Sequence, residues 1–563
     1  MRLARTIFTV STSFLALAPA GHAQQTLDLS GIRFWVERAD AVRGPEGYGE
    51  DNYYTSYQIA PGRFRNFTSN ACWLPADGPN CTQAMDGDAV EDAGAPPAMA
   101  APHSTPPAEG RYHIDVLRST TATAAWAPCG QWLNSVLSYK GTLYGFVHGE
   151  APQPGTTGCS ISRTHHKTMA LWTSPVGANA GLQGSWSNPI LVLDSTNGDK
   201  GNGESGEGDC TAIRDSSYAY MFCRNPTVNT TTLARAPLTD LTHFIKYNNG
   251  WDSQPGVNGT DTSISGTVAG PENARGLTSS ALGSGASVWE DKKMVMLLTA
   301  SDPKFVGLKM SFTALSNLRS GSIGFTTLPD PLFVQETTVS GQYPYGSNPP
   351  HYLYIYASVL SPVDGTRTWN LTKNHQFLLA YAFVPPHNNL SHRILAVRHV
   401  TVSDSRKAQD PQVLVALTTR HDAGFGQYYS STQPVAFGND PSFSYPTGTF
   451  SRVTVDAVGY LPQLPSDNPT SQGQTLTKIV ECRNNRPWPS GHPDHLLTTE
   501  GCDKNYNEVT VAGYSYPNKP VAGNSVQIYR CATIANGTHW VSSSSNCDDA
   551  GTSEKSLGWI LTK

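Results

Sequence analysis

Charge is scarce in this 563-residue chain: Asp, Glu, Lys and Arg together make up 15% of it, and the formal net charge is only −5. Its basic residues are scattered, which argues against nucleic acid as a partner. Stretches with a helical period of 3.6 are almost missing, so little of the chain reads as helix. No Cys-x-x-Cys pair occurs among the ten cysteines, and a zinc reading is correspondingly weak. Beyond the N-terminus no apolar run is long enough to span a bilayer, so no membrane association is expected. A serine-hydrolase elbow is absent too: GSGAS (Gly283 to Ser287) lacks the closing glycine, and no helix pattern follows it.

What is present begins with MRLARTIFTVSTSFLALAPAGHA, in which two arginines precede an apolar run and Gly21-His22-Ala23 forms a small-x-small cleavage pattern. Residues 1–23 therefore read as a secretory signal peptide, and the mature chain as soluble and either secreted or periplasmic. About 540 residues remain, enough for two or more domains with sizeable cores. Cysteines in an exported chain read as disulfides, and their spacing suggests Cys72 with Cys81, Cys129 with Cys159, Cys210 with Cys223, Cys482 with Cys502 and Cys531 with Cys547. Sequence alone leaves this connectivity open. Asn66, Asn80, Asn229, Asn258, Asn370, Asn389 and Asn536 open Asn-x-Ser/Thr triplets, which matter only in a eukaryotic host.

The last 150 or so residues repeat one pattern three times: an apolar stretch, a Ser/Thr-rich stretch, then Gly with an aromatic. The three passes are VLVAL, YYSST and Gly459-Tyr460; KIVEC, HLLTT and Gly513-Tyr514; and QIYRC, HWVSS and Gly558-Trp559. Short repeats of this kind cannot bury their own apolar faces, so the three are expected to close on one another as one body over residues 411–563. Threefold closure of short strands resembles a β-trefoil, a fold often used to bind sugars. The first repeat carries a long insertion (Pro434 to Thr449) and no cysteine.

From residue 24 to about 404 the chain is rich in Gly, Pro and aromatics and reads as all-β. Strands such as SVLSY, LYGFVH, TMALWTS, CTAIRD, YAYMFC and KMVMLLTA follow one another in a recurring hairpin order, the look of propeller blades of four strands each. Blades opening near Ile32, Asn134, Cys210, Ala286 and His351 make five. Asp92 to Gly110, rich in Pro and Ala, reads as a loop within the first blade, and Ser405 to Asp410 as the boundary to the threefold repeat.

The order SVLSYKGTLYGFVHGE, TMALWTSPVGANAGLQGSW, GEGDCTAIRDSSYAYMFCRN and LARAPLTDLTHFIKYNNGWDSQPGVNG resembles five-bladed propeller glycosidases of the arabinanase and invertase type, over roughly residues 120 to 320. It is nearer to their secreted relatives in which His-x-Glu closes one strand and Gly-Asp opens the next blade. The likeness implies a glycoside hydrolase acting on a carbohydrate polymer or glycan. The first blade departs from the pattern, since the N-terminal Asp of those families has no clear counterpart. That leaves the third carboxylate, and with it retention or inversion, open.

Glycoside cleavage needs an acid to protonate the leaving oxygen and a carboxylate to act as base or nucleophile. Glu150 is the first catalytic candidate: HGE ends an apolar strand and sets Glu150 and His148 on one face. The bland reading makes Glu150 the start of an exposed turn. Asp209 is the second, where GEGD leads into the third blade and glycines let the backbone pass close to a ligand. The acidic run Gly198 to Asp209 also reads as a calcium loop, a minor alternative to a cofactor-free protein because EF-hand spacing is absent. Glu290 belongs to a hairpin turn, and Glu272 with Arg275 either stands at the funnel mouth or forms a surface pair. His165 and His166 are adjacent on a strand, so at most one reaches the site. Trp126, Trp132 and Tyr345 are candidate stacking platforms for sugar rings, although aromatics more often pack. In the C-terminal repeats Tyr429, His495 and His539-Trp540 are either sugar contacts or structural core. A non-catalytic glycan-binding propeller is the alternative to an enzyme, because losing one carboxylate ends turnover and spares the fold. Sugar, linkage and oligomeric state are not readable from the chain.

Overall fold

The computed structural model describes residues 27–43, 52–69, 82–92, 111–113, 116–117, 126–152, 158–159, 165–195, 204–225, 230–251, 254–259, 284–300, 308–333, 353–370, 375–384, 394–404, 410–422, 427–433, 453–464, 469–484, 494–535 and 537–563. They are nearly all β. Short apolar runs punctuated by Gly, Pro and Asn send alternate side chains to opposite faces of a sheet, and many strands bury both faces. Among the described residues no helix is long and apolar enough to cross a membrane.

Strand β1 (Arg33–Arg43) leads the chain. A first antiparallel sheet follows, made of β2 (Thr55–Ala60), β3 (Arg63–Ser69), β4 (Thr82–Gly87) and β5 (Tyr112–His113). The second holds β6 (Gly130–Tyr139), β7 (Thr142–Pro152) and β8 (His165–Pro175), with β9 (Ile190–Leu193) and β10 (Glu204–Gly206) both lying along β8. The third runs β11 (Gly208–Arg214), β12 (Tyr218–Asn225), β13 (Thr230–Pro237), β14 (Ile245–Lys246). In the fourth come β15 (Ser284–Trp289), β16 (Met294–Ala300), β17 (Leu308–Ala314) and, after the short helix α1 (Leu315–Ser320), β18 (Thr326–Thr327). Strand β19 (Leu353–Leu360) starts a fifth sheet, β20 (Thr368–Trp369) lies on β15, and β21 (Gln376–Val384) and β22 (Ile394–Ser403) continue the fifth.

The leading strands of the five sheets form a closed ring, with β2 beside β6, β6 beside β11, β11 beside β15, β15 beside β19, and β19 beside β2. Hydroxyls satisfy backbone groups that a bare sheet edge would leave unpaired. Ala212 N–H donates to Ser135 Oγ at 3.0 Å and Ala286 N–H to Thr211 Oγ1 at 2.9 Å. A separate apolar core fills each gap between neighbouring sheets: Phe67, Leu133 and Trp172; then Phe146, Met169 and Met221; then Phe222, Val288 and Leu297; then Met296, Phe312 and Phe377; and last Tyr54, Phe64 and Leu378.

Ile32 does not open the first sheet. It leads into β1, which pairs antiparallel with β22, as in Phe34 opposite Val402, and so completes the fifth sheet with the start of the chain. The first sheet opens instead at Thr55. Pairing β1 with the distant β22 covers an edge of the fifth sheet with backbone hydrogen bonds, which hairpin counting along the sequence cannot foresee.

Strand β1 also pairs in parallel with β23 (Val413–Asp422), so one continuous sheet crosses the expected boundary. Residues 405–409 lie outside the described residues; Asp410 holds Arg33 at 2.6 Å. Beyond it come β24 (Gln427–Ser431), β25 (Val453–Gln463), the hairpin of β26 (Thr470–Ser471) and β27 (Gln474–Thr475), then β28 (Thr477–Asn484), β29 (His495–Thr498), β30 (Tyr506–Ser515), β31 (Asn524–Thr533), β32 (His539–Ser542) and β33 (Gly551–Thr562). In each repeat the first strand pairs with both others, and a register shift falls beside Leu417, Ile479 and Ile528, where they meet Gly459, Gly513 and Gly558. Glycine suits these bulges physically: Gly513 and Gly558 have φ of +146° and +101°, and a Cβ on Gly459 would come within 2.6 Å of Ile560 Cδ1. The three short middle strands touch one another, as do the three long closing strands, around Leu417, Ile479, Ile528, Leu557 and Ile560.

Phe34 is fully buried, with its ring centroid 6.3 Å from Phe312 and 6.4 Å from Phe377. Phe34→Ala should cost about 3–5 kcal/mol of unfolding free energy, measured by denaturant titration; a loss under about 1 kcal/mol would mean that β1 does not hold the ring.

Candidate active site

At one rim of the ring, the second and third sheets gather buried charged side chains. Glu150 and His148 share a face of β7, and Glu150 stands directly opposite Lys167 on β8. Cross-strand neighbours of opposite charge attract, and here the ammonium reaches further. Lys167 Nζ lies 3.8 Å from Glu150 Oε1 and 2.9 Å from Asp209 Oδ2. The two carboxylates are thus clasped on one cation, with their facing oxygens no more than about 7 Å apart. Arg224 Nη1 stands 3.7 Å from the same Asp209 oxygen.

Asp209 is aimed by its backbone. A register shift between Gly208 and Thr211 and a φ of +50° turn its side chain out of the regular alternation of β11. Such a conformation is unusual for a residue other than glycine and is held from outside. Its N–H donates to His148 Nδ1 at 3.1 Å, which in the neutral ring leaves the proton on Nε2, 3.4 Å from Glu150 Oε1. A Cβ on Gly208 would come within 2.3 Å of the His148 ring, and one on Gly206 within 2.0 Å of the Lys167 carbonyl oxygen. What these glycines admit closely is therefore the protein's own histidine and backbone. Burial pushes the Asp209 carboxyl up, but Lys167, His148 and Arg224 together hold it down to about 2. Asp209 stays a carboxylate at any ordinary pH and cannot serve as a proton donor. Glu150 lies farther from the shared ammonium. Tyr53, at the head of the first sheet, is pushed well above its usual range by burial first and then by Asp209, so its phenol remains protonated beside the cluster.

The other candidates divide. Trp132 is buried, with its ring 5.4 Å from that of His148, and so packs the site from within. Trp126 lies against Gly149, on the opposite face of β7 from His148 and Glu150, and joins the core between the first two sheets. His165 stands in register with Pro152. His166 turns away from the cluster, pairing with Asp194 at 2.7 Å and Ser205 at 2.9 Å. Glu290 is exposed in a turn and accepts from Asn370. Glu272, Arg275, Tyr345, the pair Cys72–Cys81 and residues 198–203 of the calcium-loop reading lie outside the described residues. Disulfides join Cys129 to Cys159, Cys210 to Cys223, Cys482 to Cys502 and Cys531 to Cys547. Among the described residues no group of three or more His, Cys, Asp or Glu side chains is placed to hold a metal ion. Sequence reading missed Lys167, Arg224 and Tyr53. Only the strand register opposite Glu150 could have pointed to Lys167.

In the C-terminal repeats the candidates are tied into internal networks. Tyr429 O–H donates to Glu481 at 2.8 Å, Ser431 O–H donates to it at 2.7 Å, and His495 Nδ1 lies 3.1 Å from this fully buried carboxylate. His539 Nδ1 lies 2.6 Å from Asp494, which also accepts from Tyr506. Burial lowers the basicity of His539, but Asp494 and Glu554 prevail and raise its pKa. Trp540 is buried and stacks on Tyr428 at 4.4 Å.

No family model matches the chain, and no curated protein matches it. Solved structures with partial likeness are glycoside hydrolases for the most part. The catalytic domain of a GH62 α-L-arabinofuranosidase from Coprinopsis cinerea is 13% identical over 67% of this chain and 98% of its own, with a TM-score of 0.37. The GH43 protein BlXynB from Bacillus licheniformis is 10% identical over 88% of this chain and 78% of its own, at 0.35. A protein of unknown function from Dyadobacter fermentans is 10% identical over 66% of this chain and all of its own, at 0.32. Likeness this slight does not bear on the chemistry, which stands on the geometry above.

Because the Asp209 carboxyl titrates lower in the folded chain than in the unfolded one, its stabilisation is present above the ordinary carboxylate range and is lost as pH falls towards about 2. A depression of this size amounts to about 2 kcal/mol. Lys167→Met removes the nearest cation and should move the midpoint of acid unfolding, followed by circular dichroism, to higher pH. An unmoved midpoint would mean that Lys167 does not hold the carboxylate.

Proposed function

We propose that the protein is a secreted glycoside hydrolase acting on a polysaccharide or glycan, with residues 1–23 a signal peptide, 24–404 a five-bladed β-propeller and 411–563 a β-trefoil-like module. The single observation that carries the catalytic reading is the clasp of Glu150 and Asp209 on Lys167 at the rim of the ring. The five-bladed reading is supported by the cyclic contact of five leading strands, and the trefoil reading by three repeats with equivalent bulges. Four disulfides accord with an exported chain.

In this reading Glu150 is the general acid. It is farther than Asp209 from the shared ammonium, 3.8 against 2.9 Å, and is the less tightly paired of the two. Asp209, fixed as a carboxylate, tunes the acid and faces positive charge developing on the sugar ring. His148 and Trp132 line the site; His165, Arg275 and Tyr345 are proposed to contact substrate. Trp126 packs instead of stacking. No metal or organic cofactor enters this scheme.

A non-catalytic glycan-binding protein is the second reading, favoured by the neutralisation of both carboxylates by Lys167 and Arg224. For the C-terminal module, the burial of Tyr429, Trp540 and Glu481 favours a structural role over direct sugar contact.

The test is turnover of arabinose-, fructose- and galactose-containing polysaccharides by the intact protein. Glu150→Gln should lower turnover on the responsive substrate by about a hundredfold to ten-thousandfold while leaving oligosaccharide binding in place. Wild-type binding without turnover on any of them would favour the second reading.

A further inference from the structure

We infer that the buried ion pair of Glu207 and Lys246 is a positioning device, anchoring segment 206–209 from behind so that the Asp209 carboxylate meets Lys167 and Arg224. The inference rests on the reading of Asp209 as a working carboxylate and names what directs it. In a regular strand Glu207 and Asp209, two residues apart, would face the same way. They do not. Glu207 Oε2 lies 2.6 Å from Lys246 Nζ on β14, with both side chains fully buried, and Glu207 Oε1 accepts from Thr232 Oγ1 of β13 at 2.6 Å. Asp209 turns to β8 instead, through the register shift and its left-handed backbone.

That backbone is held on two sides. In front, the Asp209 N–H donates to His148; behind, the Glu207 N–H donates to the Lys167 carbonyl at 2.8 Å while its carboxylate is pinned by Lys246. Lys246 Nζ also donates to the Asp194 carbonyl at 2.8 Å. The Asp194 side chain meets His166, and His166 meets Ser205, so the chain of contacts returns to the residue just before the segment. Ser205, His166 and Asp194 share the hydrogen-bond order of a nucleophile triad. Ser205 is only 3% exposed, however, and the trio's hydrogen bonds brace the strand. A fully buried ion pair adds little net stability over an apolar pair of the same volume. What it adds here is direction.

The deciding variant is the double substitution Glu207→Leu with Lys246→Met, which removes the pair without stranding a buried charge. Its melt should remain cooperative. On the responsive polysaccharide, kcat should fall about ten- to a hundredfold, as expected when a reacting group shifts by about 1 Å. KM should change by less than about threefold, because the loss falls on the transition state. A readout independent of turnover is the Asp209 carboxyl titration, followed by 13C NMR of aspartate-labelled protein and assigned with Asp209→Asn; it should rise from about 2 towards the ordinary range. Thr232→Val, which removes one hydrogen bond to Glu207 and no charge, should move both readouts the same way by a smaller amount and serves if the double variant does not fold. An Asp209 titration unchanged in these variants overturns the inference. If the titration moves but wild-type protein cleaves no glycan, the positioning role stands and the glycosidase reading falls.

Discussion

Everything in the larger part of the molecule depends on the pairing of β1 with β22. Five sheets packed face to face leave two outer faces and a free edge unless the last one meets the first, and here the chain's own beginning supplies the missing strand. The contact joins residues more than 360 positions apart in sequence, as in Phe34 with Val402. Closing so long a loop costs only slightly more entropy than closing a short one, since the cost grows with the logarithm of length. Contacts this distant form late, however, so the ring is expected to close slowly. The same strand carries Trp35 into the C-terminal core against Leu414, Tyr460 and Tyr514, so the two parts of the molecule share one closing element.

Ring closure also explains the electrostatics at the rim. The charged side chains there are buried, so each needs a partner within the protein. Lys167 therefore serves two carboxylates, and Asp209 takes two cations. A lone buried carboxylate would be forced neutral; a clasped one stays charged, at about 2 for Asp209. Glu150 shares the same ammonium at the longer distance, 3.8 Å against 2.9 Å for Asp209.

How much of this the sequence discloses follows from the range of the interactions. Strand content, the threefold repeat and the four described disulfides arise from local alternation and spacing, and they are legible. The face shared by His148 and Glu150 is legible for the same reason, as period two fixes it. Lys167 is not, because its part in the site depends on which residue of β8 stands opposite Glu150, a register set across a twelve-residue gap from Pro152 to His165. Asp209 was identified for its glycine neighbours, but they make room for His148 and the Lys167 backbone. Trp126 lies over Gly149, a contact across faces of β7 that strand periodicity does not disclose. Ile32 misleads because its partner lies at the far end of the same domain.

The C-terminal module shows why a repeated polar residue need not be a binding residue. Three equivalent bulges at Gly459, Gly513 and Gly558 bend the long closing strands inward over a small apolar core. The middle strands are thereby forced together at the other end, where side chains of different repeats meet. Polar groups at that junction are buried by geometry and must be satisfied there. Glu481 accepts from Tyr429 and Ser431 of the preceding repeat, and Asp494 from His539 of the following one. A recurring His or aromatic beside Ser or Thr thus already has partners within the junction.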